Sequence, residues 1–168
     1  AAHIALARLE RELVACGGRF TLVTQNVDDL HERAGSSNLL HMHGELLKSL
    51  CAACGDARPH TDDLSVDVKC SVCGKTGGMR PDVVWFGEIP RQMDEILTAI
   101  EEADLFVSIG TSGAVYPAAG FVADAKGRGI RCMEINLEPS ENADLFDETR
   151  YGPATEAVRE CRGLRDRY

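Results

Sequence analysis

Four cysteines carry the clearest chemistry in this sequence: Cys51-x2-Cys54, fifteen residues, then Cys70-x2-Cys73. Each pair bends the backbone so that two sulfurs face one ion, and two pairs complete a tetrahedron of the kind zinc prefers. Four thiolates fill the coordination sphere and leave no position for water or substrate, so the metal they predict is structural. The competing readings are small buried hydrophobes or disulfides. Neither gives the polar stretch between the pairs (Gly55, Asp56, Pro59, Thr61, Asp62, Asp63 and Ser65) a reason to fold, which a metal supplies. His43, followed by Gly44, is the best acid/base candidate by type, because histidine titrates near neutral pH. Taken in isolation, a structural histidine or a stray metal ligand explains it better. His3, His31, His41 and His60 have no such placement and are read as structural.

Three polar groups suit a ligand at the carboxyl end of a parallel sheet, where open α/β folds bind. They are Gln25-Asn26-Val27-Asp28, Gly110-Thr111-Ser112 and Asn136-Leu137-Glu138. A Gly-Thr-Ser turn lets backbone amides and hydroxyls approach a phosphate, aided by a helix N-terminus, here expected near Tyr116. A carboxylate such as Glu138 can accept hydrogen bonds from ribose hydroxyls. Each motif alone reads as turn chemistry; the three together make a nucleotide site an equal reading. Gly110 to Ala114 also falls one residue short of a Gly-x-Ser-x-Gly nucleophile elbow. That hydrolase needs a later histidine, and none follows His60.

The elements that must position these groups alternate. Helical spacing is predicted over 2–15, 28–34, 90–103, 116–126 and 153–162. Strands are predicted over 20–24, 39–44, 105–109 and 130–135, with an extended segment over 81–87. Leu105 to Ile109 is a continuous apolar run, as expected of a buried parallel strand. The alternation predicts an α/β fold with a doubly wound, Rossmann-like parallel sheet. Residues 45–79 form a small zinc-binding insertion domain between 1–44 and 80–168.

The composition is that of an ordinary globular protein: 168 residues, 44% hydrophobic and 27% charged. A formal charge of −9 argues against a phosphate-binding surface for nucleic acid. No apolar run approaches the roughly 20 residues that span a bilayer, so no membrane partner is expected. Seven cysteines, two CxxC pairs with Cys16, Cys132 and Cys161 single, suit a reducing, cytoplasmic compartment. The sequence opens without methionine at Ala1-Ala2-His3, so a targeting segment upstream stays open.

Read in order, several strings closely resemble the sirtuins, NAD-dependent protein lysine deacylases, and above all their bacterial class III members. They are Thr24 to His31, His41-Met42-His43-Gly44, the cysteine pairs, Arg80 to Glu88, Gly110-Thr111-Ser112 with Val115-Tyr116-Pro117, Asn136-Leu137-Glu138 and Gly152-Pro153-Ala154. The resemblance implies that an acyl-lysine carbonyl oxygen attacks C1′ of the nicotinamide ribose and nicotinamide leaves. His43 then acts as general base through the ribose hydroxyls, and water yields free lysine and O-acyl-ADP-ribose. It implies NAD contacts at Gln25, Asn26, Val27 and Asp28, with Asn26 also in the catalytic set. Further NAD contacts fall at Gly110, Thr111, Ser112, Asn136, Leu137, Glu138 and Ala154. Val84, Phe86 and Gly87 flank an acyl-lysine protein or peptide that adds as a strand. Zn2+ sits on Cys51, Cys54, Cys70 and Cys73.

Sirtuins begin with a Gly-Ala-Gly-x-Ser segment, a Pro-Thr-Phe-Arg loop and, in class III, a Tyr-x-x-Arg pair, and none is present here. The resemblance therefore implies a sheet incomplete at its N-terminus, with exposed strand edges and weak or no activity for residues 1–168 alone. Two other functions stay open: a zinc-ribbon protein-binding module, which leaves His43 and the polar strand ends without a purpose, and an NAD-dependent ADP-ribosyltransferase.

Overall fold

The computed structural model describes residues 1–160; Cys161 and the last two residues of the expected 153–162 helix lie outside them. Helix α1 (Ala2–Ala15) buries Ala7 and Glu10 and ends where Gly18 donates to the Leu13 carbonyl. Strand β1 (Leu22–Thr24) follows, then the short helix α2 (Leu30–Ala34). The helix starts two residues later than its apolar spacing predicts, because the Asp28 carboxylate accepts the Leu30 N–H at 3.0 Å. That turn competes with a first helical turn. Strand β2 (Leu39–His41) lies parallel to β1, with Leu22 opposite Leu39 and Thr24 opposite His41.

The cysteine region is an antiparallel sheet that alternation alone does not predict. Strand β3 (Gly44–Cys51) lies between β4 (Ala57–Pro59) and β5 (Met79–Val83). β5 stops at Val83, short of the 81–87 extended segment, and a turn closed by Glu88 N–H to the Trp85 carbonyl (2.9 Å) follows. Helix α3 (Met93–Glu101) leads into β6 (Leu105–Ile109). A 3₁₀ turn (Ala118–Gly120) precedes α4 (Phe121–Gly127), so no helix opens at Tyr116. Gly113 holds a left-handed φ of +71°, and Pro117 offers no amide donor, so residues 113–117 form a connection. Strands β7 (Arg131–Asn136) and β8 (Glu148–Tyr151) complete a parallel sheet in the order β6–β7–β8, and α5 (Ala154–Glu160) follows.

Helices cover both faces of that sheet, which is the doubly wound arrangement expected. β7 alternates between them. Cys132 packs with Ile96, Ile100, Phe121, Val122 and Ala125 of α3 and α4. Met133 and Ile135 pack with Ala157 and Val158 of α5 and, at its border, Leu6 of α1. Val23, Leu40 and Met42 join the first cluster, so β1 and β2 lie on the same core. β6 departs from expectation: every residue is only half-buried. It pairs with β7 alone, and its other edge has no strand among the described residues.

Glu10 ties α1 to the turn before β2. It is 2% exposed, and its carboxylate accepts from the Ser37 N–H (3.1 Å), the Asn38 N–H (2.8 Å) and the Ser37 hydroxyl. Burial works to raise its pKa, yet the Ser37 and Asn38 hydrogen bonds hold the carboxyl below its usual value. A depressed native pKa means this group stabilises the fold at neutral pH, and the contribution is lost as pH falls through that native value. Glu10→Gln should cost about 2 kcal/mol at pH 7. Urea melts should show the gap between variant and parent closing at a pH below the carboxylate range; a gap unchanged there removes the charged role.

Candidate active site and metal centre

The two cysteine pairs form matching turns. Cys51 accepts from the Gly55 N–H and donates to Asp56; Cys70 accepts from Gly74 and donates to Lys75, all at 2.8–2.9 Å. Gly55 and Gly74 hold φ of +74° and +73°, which only glycine adopts freely. The four sulfurs lie within 4.8 Å of one another. Cys51 to Cys73 is 3.7 Å and Cys54 to Cys70 is 3.8 Å. A tetrahedron with zinc–sulfur bonds of about 2.3 Å has edges of about 3.8 Å, so the donor set fits that ion. Its electrostatics agree. The Cys73 and Val72 amides bring the Cys70 thiol down to about 6. The Asp56 amide lowers Cys54, but desolvation and the neighbouring thiols push it up to about 12. Two thiols of one cluster driven in opposite directions are reconciled by a dication, which favours the thiolate at both.

His43 lies just beyond the carboxyl end of β2. Its Nδ1 donates to the Gln25 carbonyl at 3.0 Å. A carbonyl only accepts, so Nδ1 carries the proton and Nε2 is the basic atom of the neutral ring. The same loop is held from two further sides. The Asn26 N–H donates to Thr24 Oγ1 (3.1 Å), and the Leu46 N–H to the Val27 carbonyl (2.7 Å). Val84 reaches the site through its N–H, which donates to the His43 carbonyl at 2.9 Å. Gln25, Val27, Asp28, His43 and Val84 are half-buried, whereas Asn26, Phe86 and Gly87 are exposed.

A second group forms at the ends of β6 and β7. The Asn136 side-chain amide donates to the Thr111 carbonyl (2.7 Å), and its Oδ1 accepts the Leu137 N–H (2.9 Å). Gly110 turns with φ of +63°, and Thr111 Oγ1 lies 3.0 Å from Ser108 Oγ. Ser112, Leu137 and Glu138 are exposed beside them. Ala154 opens α5, next to Gly152, whose N–H donates to the Asn136 carbonyl (2.9 Å). His43 and the sequence-derived cofactor residues thus fall into two groups beyond the ends of parallel strands, plus the separate sulfur cluster, while Phe86 and Gly87 stand exposed in the loop after the antiparallel β5.

Sequence reasoning missed the frame around His43. Gly44 has φ of +81°, and a Cβ there would overlap the Asp82 carbonyl. Gly44→Ala should destabilise by about 3 kcal/mol, from the left-handed conformation and overlap together, read as a lowered Tm. A Tm unchanged by the substitution rules the close approach out. Asp82 is buried and pairs with Arg91, and Arg80 pairs with Glu88. The sequence signals for these were the string Arg80 to Glu88 and opposite charge at short separation beside its aromatic residues.

Residues 1–117 match the model of the Sir2 family. An NAD-dependent protein deacylase of Caulobacter vibrioides is 60% identical over 158 residues, 94% of this chain and 66% of that protein. One of Salmonella typhimurium is 54% identical over 160 residues, 95% of this chain and 58% of that protein. The chain thus spans about three fifths to two thirds of their length. Among solved structures, a Sir2 homolog–NAD complex superposes with a TM-score of 0.86 at 38% identity, over 98% of this chain and 64% of that one. A Sir2 complex with EX-527, 2′-O-acetyl-ADP-ribose and deacetylated p53 peptide superposes with a TM-score of 0.81 at 28% identity, over 98% and 71%.

Proposed function

The chain belongs to the Sir2 family, and from that premise we propose that the whole protein removes acyl groups from protein lysines at the expense of NAD. The products are nicotinamide, free lysine and O-acyl-ADP-ribose. The observation that carries the reading is the His43 Nδ1 bond to the Gln25 carbonyl, which leaves Nε2 as base. NAD, when bound, supplies an electrophilic ribose carbon and a leaving nicotinamide. His43 takes a proton from a ribose hydroxyl at Nε2. Gln25, Asn26, Val27 and Asp28 line the nicotinamide side. Gly110, Thr111 and Ser112 hold phosphate and ribose, and Asn136, Leu137, Glu138 and Ala154 the adenosine half. Val84, Phe86 and Gly87 flank the substrate.

Residues 45–79 are the zinc-binding small domain, held by Cys51, Cys54, Cys70 and Cys73, between 1–44 and 80–168 of the nucleotide-binding domain. Acyl-lysine proteins or peptides, acetylated ones included, are the substrates, in keeping with the deacylase relatives and the peptide-bound neighbour. The free cysteines suit a cytoplasmic setting. No helix among the described residues is long and apolar enough to cross a membrane. The test is nicotinamide release by the whole protein, with an acyl-lysine peptide added or omitted. Release is expected only with the acylated peptide; release without it rejects deacylation in favour of ADP-ribosyl transfer.

A further inference from the structure

The loop after β5 holds its largest apolar side chains in water. Trp85 is 56% exposed, Ile89 86%, and Phe86 fully. Such residues ordinarily fold inward, so something must hold this loop open. Arg80 and Glu88 do so. Arg80 Nη1 donates to the Val83 carbonyl (3.0 Å) and Nη2 to Glu88 Oε1 (2.8 Å). Its guanidinium lies over the Trp85 ring, 4.6 Å from the centroid. The other Glu88 oxygen accepts the Trp85 N–H at 3.0 Å. The Trp85 amide, then Arg80 and more weakly Arg91, hold the Glu88 carboxyl below its usual value against desolvation. Both ends of the loop are tied to the turn that carries His43. The Val84 N–H donates to the His43 carbonyl, and the Arg91 N–H to the Met42 carbonyl, both at 2.9 Å.

We propose that Arg80 and Glu88 are positioning residues, a clasp that presents the 84–89 loop to the acyl-lysine segment of the substrate beside His43. The proposal rests on the deacylase reading for its substrate. A purely structural role does not account for the arrangement, because the side chains it orders lie outside both core clusters. Backbone bonds fix the loop's entry and exit, while the charged pair and the stacked ring fix its tip. A peptide docking there meets an apolar surface already in place, so less of its binding is spent on ordering the loop.

The test uses the whole protein; Trp85 is the only tryptophan of residues 1–168, and its emission reports the clasp. Glu88→Gln keeps an oxygen for the Trp85 N–H but removes the ion pair. It should weaken binding of an acyl-lysine peptide roughly three- to tenfold, alter Trp85 emission, and leave zinc content and ADP-ribose affinity unchanged. Arg80→Lys should restore part of what Arg80→Met loses. Peptide affinity and emission unchanged in Glu88→Gln overturn the clasp while leaving the deacylase reading standing. A parent protein, taken whole, that binds acylated and unacylated peptides alike overturns both. Loss of ADP-ribose affinity in step with peptide affinity also overturns the clasp, since it marks a general structural defect.

Discussion

Cys51→Ser releases the metal and unfolds the β3–β4–β5 sheet with it. The expectation follows from what that sheet lacks. Neither apolar core cluster contains a residue between 45 and 79. The buried side chains of the sheet are Cys51, Ser49 and Asp82, with Cys70 just outside it. Structural zinc in small metal-folded units contributes on the order of 10 kcal/mol at neutral pH, and no side chain of the sheet other than Cys51 is both apolar and fully buried. Zinc content should fall from one per chain, and protease should cut within residues 52–78 while the parent resists. A variant that keeps its zinc, or resists protease as the parent does, removes the metal from the account. The damage should reach further, because β3 begins at Gly44, directly after His43.

His43→Ala should lower acyl-dependent nicotinamide release by the whole protein about 10²- to 10⁴-fold, the range a positioned general base supplies. The substitution leaves the Gln25 carbonyl without its donor, an effect of about 1 kcal/mol at a half-buried site. Tm and zinc content should therefore hardly move. Release that survives the substitution assigns the base elsewhere. Release lost together with the fold is distinguished by the zinc content and the melting curve.

The parallel strands and their helices were legible because their periods are clean. Leu105 to Ile109 is a nearly continuous apolar run of the kind parallel sheet favours, although β6 is only half-buried, and Ile96 and Ile100 mark one face of α3. β3 and β4 were not legible. Gly44 to Cys51 mixes Leu46 and Leu47, both exposed, with buried Ser49, so its pattern records the cysteine turns at its end and not a core. β8 escaped because Glu148 to Tyr151 carries no apolar residue but Tyr151; its partners are charged, with Arg131 and Arg150 on Glu148. His43 was legible by type, but not its tautomer, which depends on a carbonyl eighteen residues away. Glu10 gave no sign at all, since nothing local distinguishes a helical glutamate that meets Ser37 from one that faces water.

The half-buried β6 has a consequence for how any stability measured on this chain is to be understood. Among the described residues, Phe106 and Ile109 lie on a strand that pairs with β7 alone, and β1 pairs with β2 alone. A second extended segment laid along such a strand acts as a ligand of the folded state, and folded-state ligands raise stability by mass action. Thermal midpoints should therefore be compared only at matched protein concentration, because part of what they report belongs to the solution and not to the single molecule.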